Sequence, residues 1–127
     1  ASRNLRISVS PEDESKFKAR YGVITKIPRK AEIGKYVFIM PDKSEDLKSE
    51  GINLSHCSAA YIKRVVDGEC LIMFMRYKDK PDESLLTLEI KDDNIVQSKG
   101  LLNRDPHEEE IEALQKYAEK FSLTIKP

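Results

Sequence analysis

The chain has 127 residues, with 22 basic and 22 acidic side chains that cancel to a net charge of zero, and it is 39% hydrophobic against 35% charged. That length gives one compact domain with a short appendage, and the low apolar share, beneath the usual ~45–50%, gives a modest core under a heavily charged surface. A globally basic nucleic-acid binder and an acidic disordered tail are both excluded, although nine Lys/Arg face four Asp/Glu within residues 1–35, so any attraction for phosphate is local to that segment.

In chain order, Ser10-Pro11-Glu12-Asp13 sets a capping hydroxyl before a proline at the first helical position. A short helix over about 11–20 is expected, amphipathic through Phe17 and Tyr21. Val23-Ile24-Thr25 reads as a short strand and Pro28-Arg29-Lys30 as a turn. Tyr36 to Met40 is β-branched and aromatic and is stopped by Pro41-Asp42, which predicts a buried strand. Ser44 to Glu50 predicts a helix capped by Ser44 and ended by Gly51, and a second helix is expected from near Ser55 to Asp67-Gly68. Strands follow at 70–77, 85–91 and 95–99, joined by the turn chemistry of Pro81-Asp82 and Asp92-Asp93-Asn94, as in an antiparallel meander. Asp105-Pro106 opens a last helix, to about 121, packed through Ile111, Leu114 and Tyr117. The fold class is α+β: an antiparallel sheet of about four strands with helices packed on one face or end. Residues 1–35 form a basic N-terminal helix and loop, and 36–127 the main domain.

No run of ~18 apolar residues and no apolar leader are visible, so the expected setting is cytoplasmic, away from membranes. Cys57 and Cys70 are read as reduced thiols that do not pair with each other. Together with His56 and His107 they follow no metal-ligand spacing, and no glycine-rich phosphate loop is present, so neither a metal nor another cofactor is expected.

The ordered set Glu50-Gly51, Leu54, His56-Cys57, Tyr61, Gly68, the apolar strand ending in Arg76, then Thr87-Leu88-Glu89, Gln97, Gly100 and Asn103 resembles the PcfJ-like family over roughly residues 36–104. Ser58 and Lys99 depart from its pattern; a lysine offers a point charge where arginine offers a bidentate fork. The resemblance implies an accessory role beside the DNA-transfer machinery of a conjugative plasmid or phage. DNA or RNA and transfer or phage proteins would be its partners, and the domain would belong to a longer protein.

The chemistry-bearing residues group in two places. The polar set His56, Tyr61, Arg64, Arg76, Thr87, Glu89, Gln97 and Asn103 is expected to line one concave site. There, Arg64 and Arg76 would hold an anion, Gln97 and Asn103 would orient it, and His56 with Glu89 would be the catalytic acid–base pair. The same residues also fit a solvated sheet face with an Arg76–Glu89 cross-strand pair, whose loss would cost less than ~1 kcal/mol. The second group, Lys16, Lys18, Arg20, Lys26, Arg29 and Lys30, is suited to a nucleic-acid backbone. Three readings stand: a nucleic-acid-associated accessory domain, a small enzyme acting on nucleic acid or a nucleotide, and a protein–protein adaptor.

Overall fold

The computed structural model describes residues 9–55 and 60–126. The elements are α1 (Pro11–Gly22), β1 (Lys30–Ile33), β2 (Tyr36–Ile39), α2 (Ser44–Leu54), α3 (Tyr61–Val66), β3 (Leu71–Tyr77), β4 (Leu86–Lys91), β5 (Asn94–Lys99), a 3-10 turn (Leu101–Asn103), α4 (Glu108–Lys120) and β6 (Thr124–Ile125). They form one six-stranded sheet in the order β1-β2-β3-β4-β5-β6. The class is α+β as expected, but the sheet has six strands rather than about four. The additions are β1, which begins at Lys30 where a turn was expected, and the two-residue β6, which returns parallel to β5. The meander β3-β4-β5 is antiparallel, and Asp92 and Asp93, both at positive φ, close its second hairpin. Val23-Ile24-Thr25 forms no strand, because α1 runs on to Gly22 and the chain leaves it as a loop.

Helices cover both sheet faces, not one. Val37 pairs with Arg76, and Phe38 with Met75, so Arg76 and Phe38 point to opposite sides. Arg76 meets α2 through Glu50, whereas Phe38 stacks on Tyr117 of α4 at 4.0 Å. The stacking fixes the rotation of α4. Leu114 and Tyr117 are buried, while Ile111, one step (about 100°) round from buried Glu110, is 41% exposed and does not carry the packing. Arg104 holds Glu110 with two parallel hydrogen bonds of 2.9 and 3.0 Å.

Residues ahead of β2 belong to the same core: Phe17, Tyr21, Ile27, Ala31 and Ile33 join one hydrophobic cluster with the central strands, and a boundary after residue 35 falls inside the β1–β2 hairpin. Beyond the end of β2, the Tyr21 hydroxyl takes the place of a ladder partner for β3. It donates to the Ile72 carbonyl and accepts from the Ile72 N–H, both at 2.8 Å.

Two features of α2 differ from expectation. The Asp46 carboxylate, not the Ser44 hydroxyl, accepts from the backbone at the helix entrance, at Asp42 N and Lys43 N. Ser44 instead bonds Glu14 of α1 through both its hydroxyl and its N–H, so an acid from a neighbouring helix compensates the α2 dipole. The helix also passes through buried Gly51 and ends only at Ser55, which adopts the left-handed conformation.

Candidate functional site on the polar sheet face

The sheet face beneath α2 and α3 carries polar residues where an apolar layer is the default. On β4, Thr87 and Glu89 point into this face while Leu86, Leu88 and Ile90 enter the opposite core. Two clusters form along it.

The first centres on Glu50, which the sequence marks as the end of a helix and as half of a Glu-Gly pair but not as a site residue. Its side chain is fully buried and accepts three hydrogen bonds of 2.7 Å, from Arg76 Nη2, Ser84 Oγ and Thr87 Oγ1. Arg76 also donates to the Pro81 carbonyl at 3.0 Å and lies over the Phe74 ring, while its buried Nε has no hydrogen-bond partner among the described residues. Arg76 therefore does not pair with Glu89. Strand register decides this, since Ile72, not Arg76, lies opposite Glu89, and Arg76 is four positions further along β3, about 13 Å away. The alternative of a solvated Arg76–Glu89 cross-strand pair fails with it, since Arg76 is instead partly buried against Glu50. A signal was available in the sequence: Glu50 follows Leu47 at helical spacing, on the buried side of α2.

The second cluster centres on Glu89, which is 7% exposed. Arg64 Nη2 lies 3.0 Å from Glu89 Oε2, and the same guanidinium reaches the exposed Glu69 with Nε at 3.4 Å. One helical turn back on α3, the Tyr61 ring lies under Arg64, with Cζ 4.9 Å from the ring centroid. The Tyr61 hydroxyl donates to Gln97 Oε1 at 3.3 Å. Burial, reinforced by the negative charge of Glu89, pushes the Tyr61 phenol above its ordinary range. Gln97 reaches this face through a bulge. Ile90 pairs with Ile95 while Glu89 pairs with Gln97, so Val96 is the extra residue. In a regular ladder Val96 would sit opposite Glu89, and Gln97 would turn to the other side.

Tyr61, Arg64, Glu89 and Gln97 are thus brought together, and Arg76 and Thr87 are brought to Glu50 beside them. Asn103 is exposed on the 3-10 turn at a φ of 63°, and no side-chain hydrogen bond among the described residues joins it to either cluster. His56 and Cys57 lie outside the described residues. Cys70 is a free, buried thiol whose pKa is pushed up to about 11 by burial and by Glu89, which suits a core residue rather than a nucleophile. Each arginine faces a carboxylate, so the clusters offer a hydrogen-bonding surface with little net positive charge. No group of three or more potential metal ligands occurs among the described residues.

In the basic N-terminal segment, Lys16, Lys18 and Lys30 are exposed. The other three cations are engaged within the fold: Arg20 with the Val65 carbonyl, Lys26 with Asp93 and the Ser122 carbonyl, and Arg29 with Asp42 and the Pro41 carbonyl. No helix among the described residues is long and apolar enough to cross a membrane.

The family model for PcfJ-like proteins matches residues 3–115, which include both clusters and all of α1. The chain belongs to the PcfJ-like family. A Listeria innocua serovar 6a protein, described as uncharacterized, is 36% identical over 108 residues. The aligned region is 84% of the PcfJ-like chain and 23% of that relative, so the chain spans about a quarter of the relative's length. No solved structure is significantly similar.

Proposed function

We propose that this PcfJ-like chain is a nucleic-acid-associated accessory domain of a mobile genetic element, and that it handles the bases of a single strand or a nucleotide through the Tyr61–Arg64–Glu89–Gln97 cluster rather than through the basic N-terminal segment. The observation that carries the reading is the composition of that cluster: an aromatic ring, a stacked guanidinium, a carboxylate and an amide at the margin of a sheet. These are groups that stack on unpaired bases and hydrogen-bond their edges. The basic segment supports it less, because three of its six cations are held by internal partners. The test is fluorescence anisotropy with short single-stranded DNA and RNA. Binding is expected, and Tyr61→Ala or Gln97→Ala is expected to weaken it by roughly 5- to 100-fold, the worth of one stacked base. Absence of binding to any oligonucleotide or nucleotide would sink the reading.

A second reading, a protein–protein adaptor, is favoured by a groove of about 540 Å³ between β5, β6 and α4, where Ile111 and Ile125 stand partly exposed at the rim. Chemical-shift changes confined to that groove on adding a partner, with none at Tyr61 or Gln97, would favour it over the first.

A further inference from the structure

The hydrogen-bonding pattern around Glu89 is specific enough to name a base, provided the nucleic-acid reading above holds. Glu89 and Gln97 are direct cross-strand partners on one sheet face. A carboxylate oxygen paired with an arginine acts as an acceptor. The Gln97 amide spends its oxygen on the Tyr61 hydroxyl at 3.3 Å, which leaves its NH2 group as a donor. Across the strand pair the side chains therefore offer acceptor, acceptor, donor. Among the bases, guanine has the complementary Watson–Crick edge: the N2 and N1 hydrogens as two adjacent donors, then the O6 acceptor. Adenine sets one donor beside an acceptor, cytosine one donor beside two acceptors, and uracil and thymine a single donor between acceptors.

The place such an edge would take is already filled by a group of like chemistry. The Arg64 guanidinium is planar, lies over the Tyr61 ring with Cζ 4.9 Å from its centroid, and forms an ion pair with Glu89, its Nη2 3.0 Å from Oε2. Its side chain is 37% exposed and has a second acceptor in Glu69, itself largely exposed, so it has somewhere to go. We propose that Arg64 is an internal stand-in for guanine: the base stacks on Tyr61, pairs its two donors with Glu89 and its O6 with the Gln97 amide, while Arg64 turns to Glu69. A peptide arginine would match Glu89 but has no acceptor for the Gln97 NH2 group, which favours the base.

The test is calorimetric titration of the protein with GMP, AMP, CMP, UMP and arginine amide, alongside short single-stranded oligonucleotides that contain or lack guanine. GMP is expected to bind roughly 5- to 100-fold more tightly than the other three nucleotides. Arg64→Ala should tighten GMP binding, because the competing internal occupant is gone. Gln97→Glu, at an exposed position, should erase the preference by placing an acceptor opposite O6, and it keeps the proposal testable should loss of Arg64 unfold the domain. Equal affinity for all four nucleotides overturns the guanine assignment while leaving the nucleic-acid reading intact. Tighter binding of arginine amide than of GMP, or weaker GMP binding by Arg64→Ala, overturns the stand-in. No binding of any nucleotide or oligonucleotide removes both.

Discussion

Replacing Glu50 by Ala removes a fully buried carboxylate and leaves three donors facing a void: the Arg76 guanidinium, the Ser84 hydroxyl and the Thr87 hydroxyl. Breaking a buried ion pair from one side costs about 3–5 kcal/mol, because the remaining charge is stranded in low dielectric. The two hydroxyls add up to ~1 kcal/mol each, reduced as they rotate toward other acceptors. A loss near 4 kcal/mol is therefore expected from Glu50→Ala, out of the ~5–15 kcal/mol that holds a typical domain. Arg76→Ala should cost somewhat less, since that side chain is partly exposed and its loss leaves the two hydroxyls on the carboxylate. The double replacement Glu50→Leu with Arg76→Met restores apolar contact without a stranded charge and should fall within about 2 kcal/mol of the parent. Urea unfolding followed by circular dichroism, with the four proteins in a double-mutant cycle, reads these differences. The reasoning is refuted if Glu50→Ala costs under about 1 kcal/mol, or if the double variant is no more stable than the singles.

Tyr117 is fully buried and its hydroxyl has no hydrogen-bond partner among the described residues, so Tyr117→Phe should raise stability by about 1 kcal/mol in the same urea assay while keeping the stack on Phe38. Glu110 lies below the ordinary carboxylate range: burial works against ionisation, but the Arg104 guanidinium and the His107 N–H outweigh it. Its folded pKa is thus depressed, so its contribution is present above the unfolded value of 4.5 and is lost as pH falls through the folded one; Glu110→Gln should flatten the acid limb of a stability-versus-pH curve. With Cys57→Ser to remove the other thiol, Cys70 should resist a disulfide reagent at neutral pH and react only once denaturant opens the core, as its pKa near 11 and its burial require.

Where local chemistry decides structure, the sequence was readable: the proline-led start of α1, the β-branched run of β2, and the meander through Asp92-Asp93 all lie where spacing predicts. What escaped depends on residues distant in the chain. Lys30–Ile33 is too short and too polar to read as a strand, and it becomes one because β2 offers it an edge. Ile111 fits the apolar stripe of α4 as well as Leu114 does, yet the Phe38–Tyr117 stack and the Arg104–Glu110 pair turn it outward. In the polar set the residues were legible but not their partners. Alternation places Thr87 and Glu89 on one face, whereas the pairing of Arg76 with Glu50 rather than Glu89 depends on register and on α2. The same is true of Gln97, whose position opposite Glu89 needs the bulge at Val96, and no residue there announces one.

The two buried carboxylates on this face have different work to do, and the difference lies in their partners. Glu50 is sealed: three donors surround it, and its arginine is itself held by the Pro81 carbonyl and packed on Phe74. Nothing there can move without stranding a charge, so the pair acts as a latch between α2 and the sheet. Glu89 has one arginine, which is partly exposed and shared with Glu69 at the surface. A leucine at each of positions 64 and 89 would hold α3 on the sheet at least as well, because a buried ion pair returns little net stability over an apolar contact. What the apolar pair would lack is a carboxylate that can be uncovered by the turn of one side chain, beside an aromatic ring and an amide already set in place. On that ground the Glu89 cluster, and not the more deeply buried Glu50 cluster, is where a ligand is to be sought.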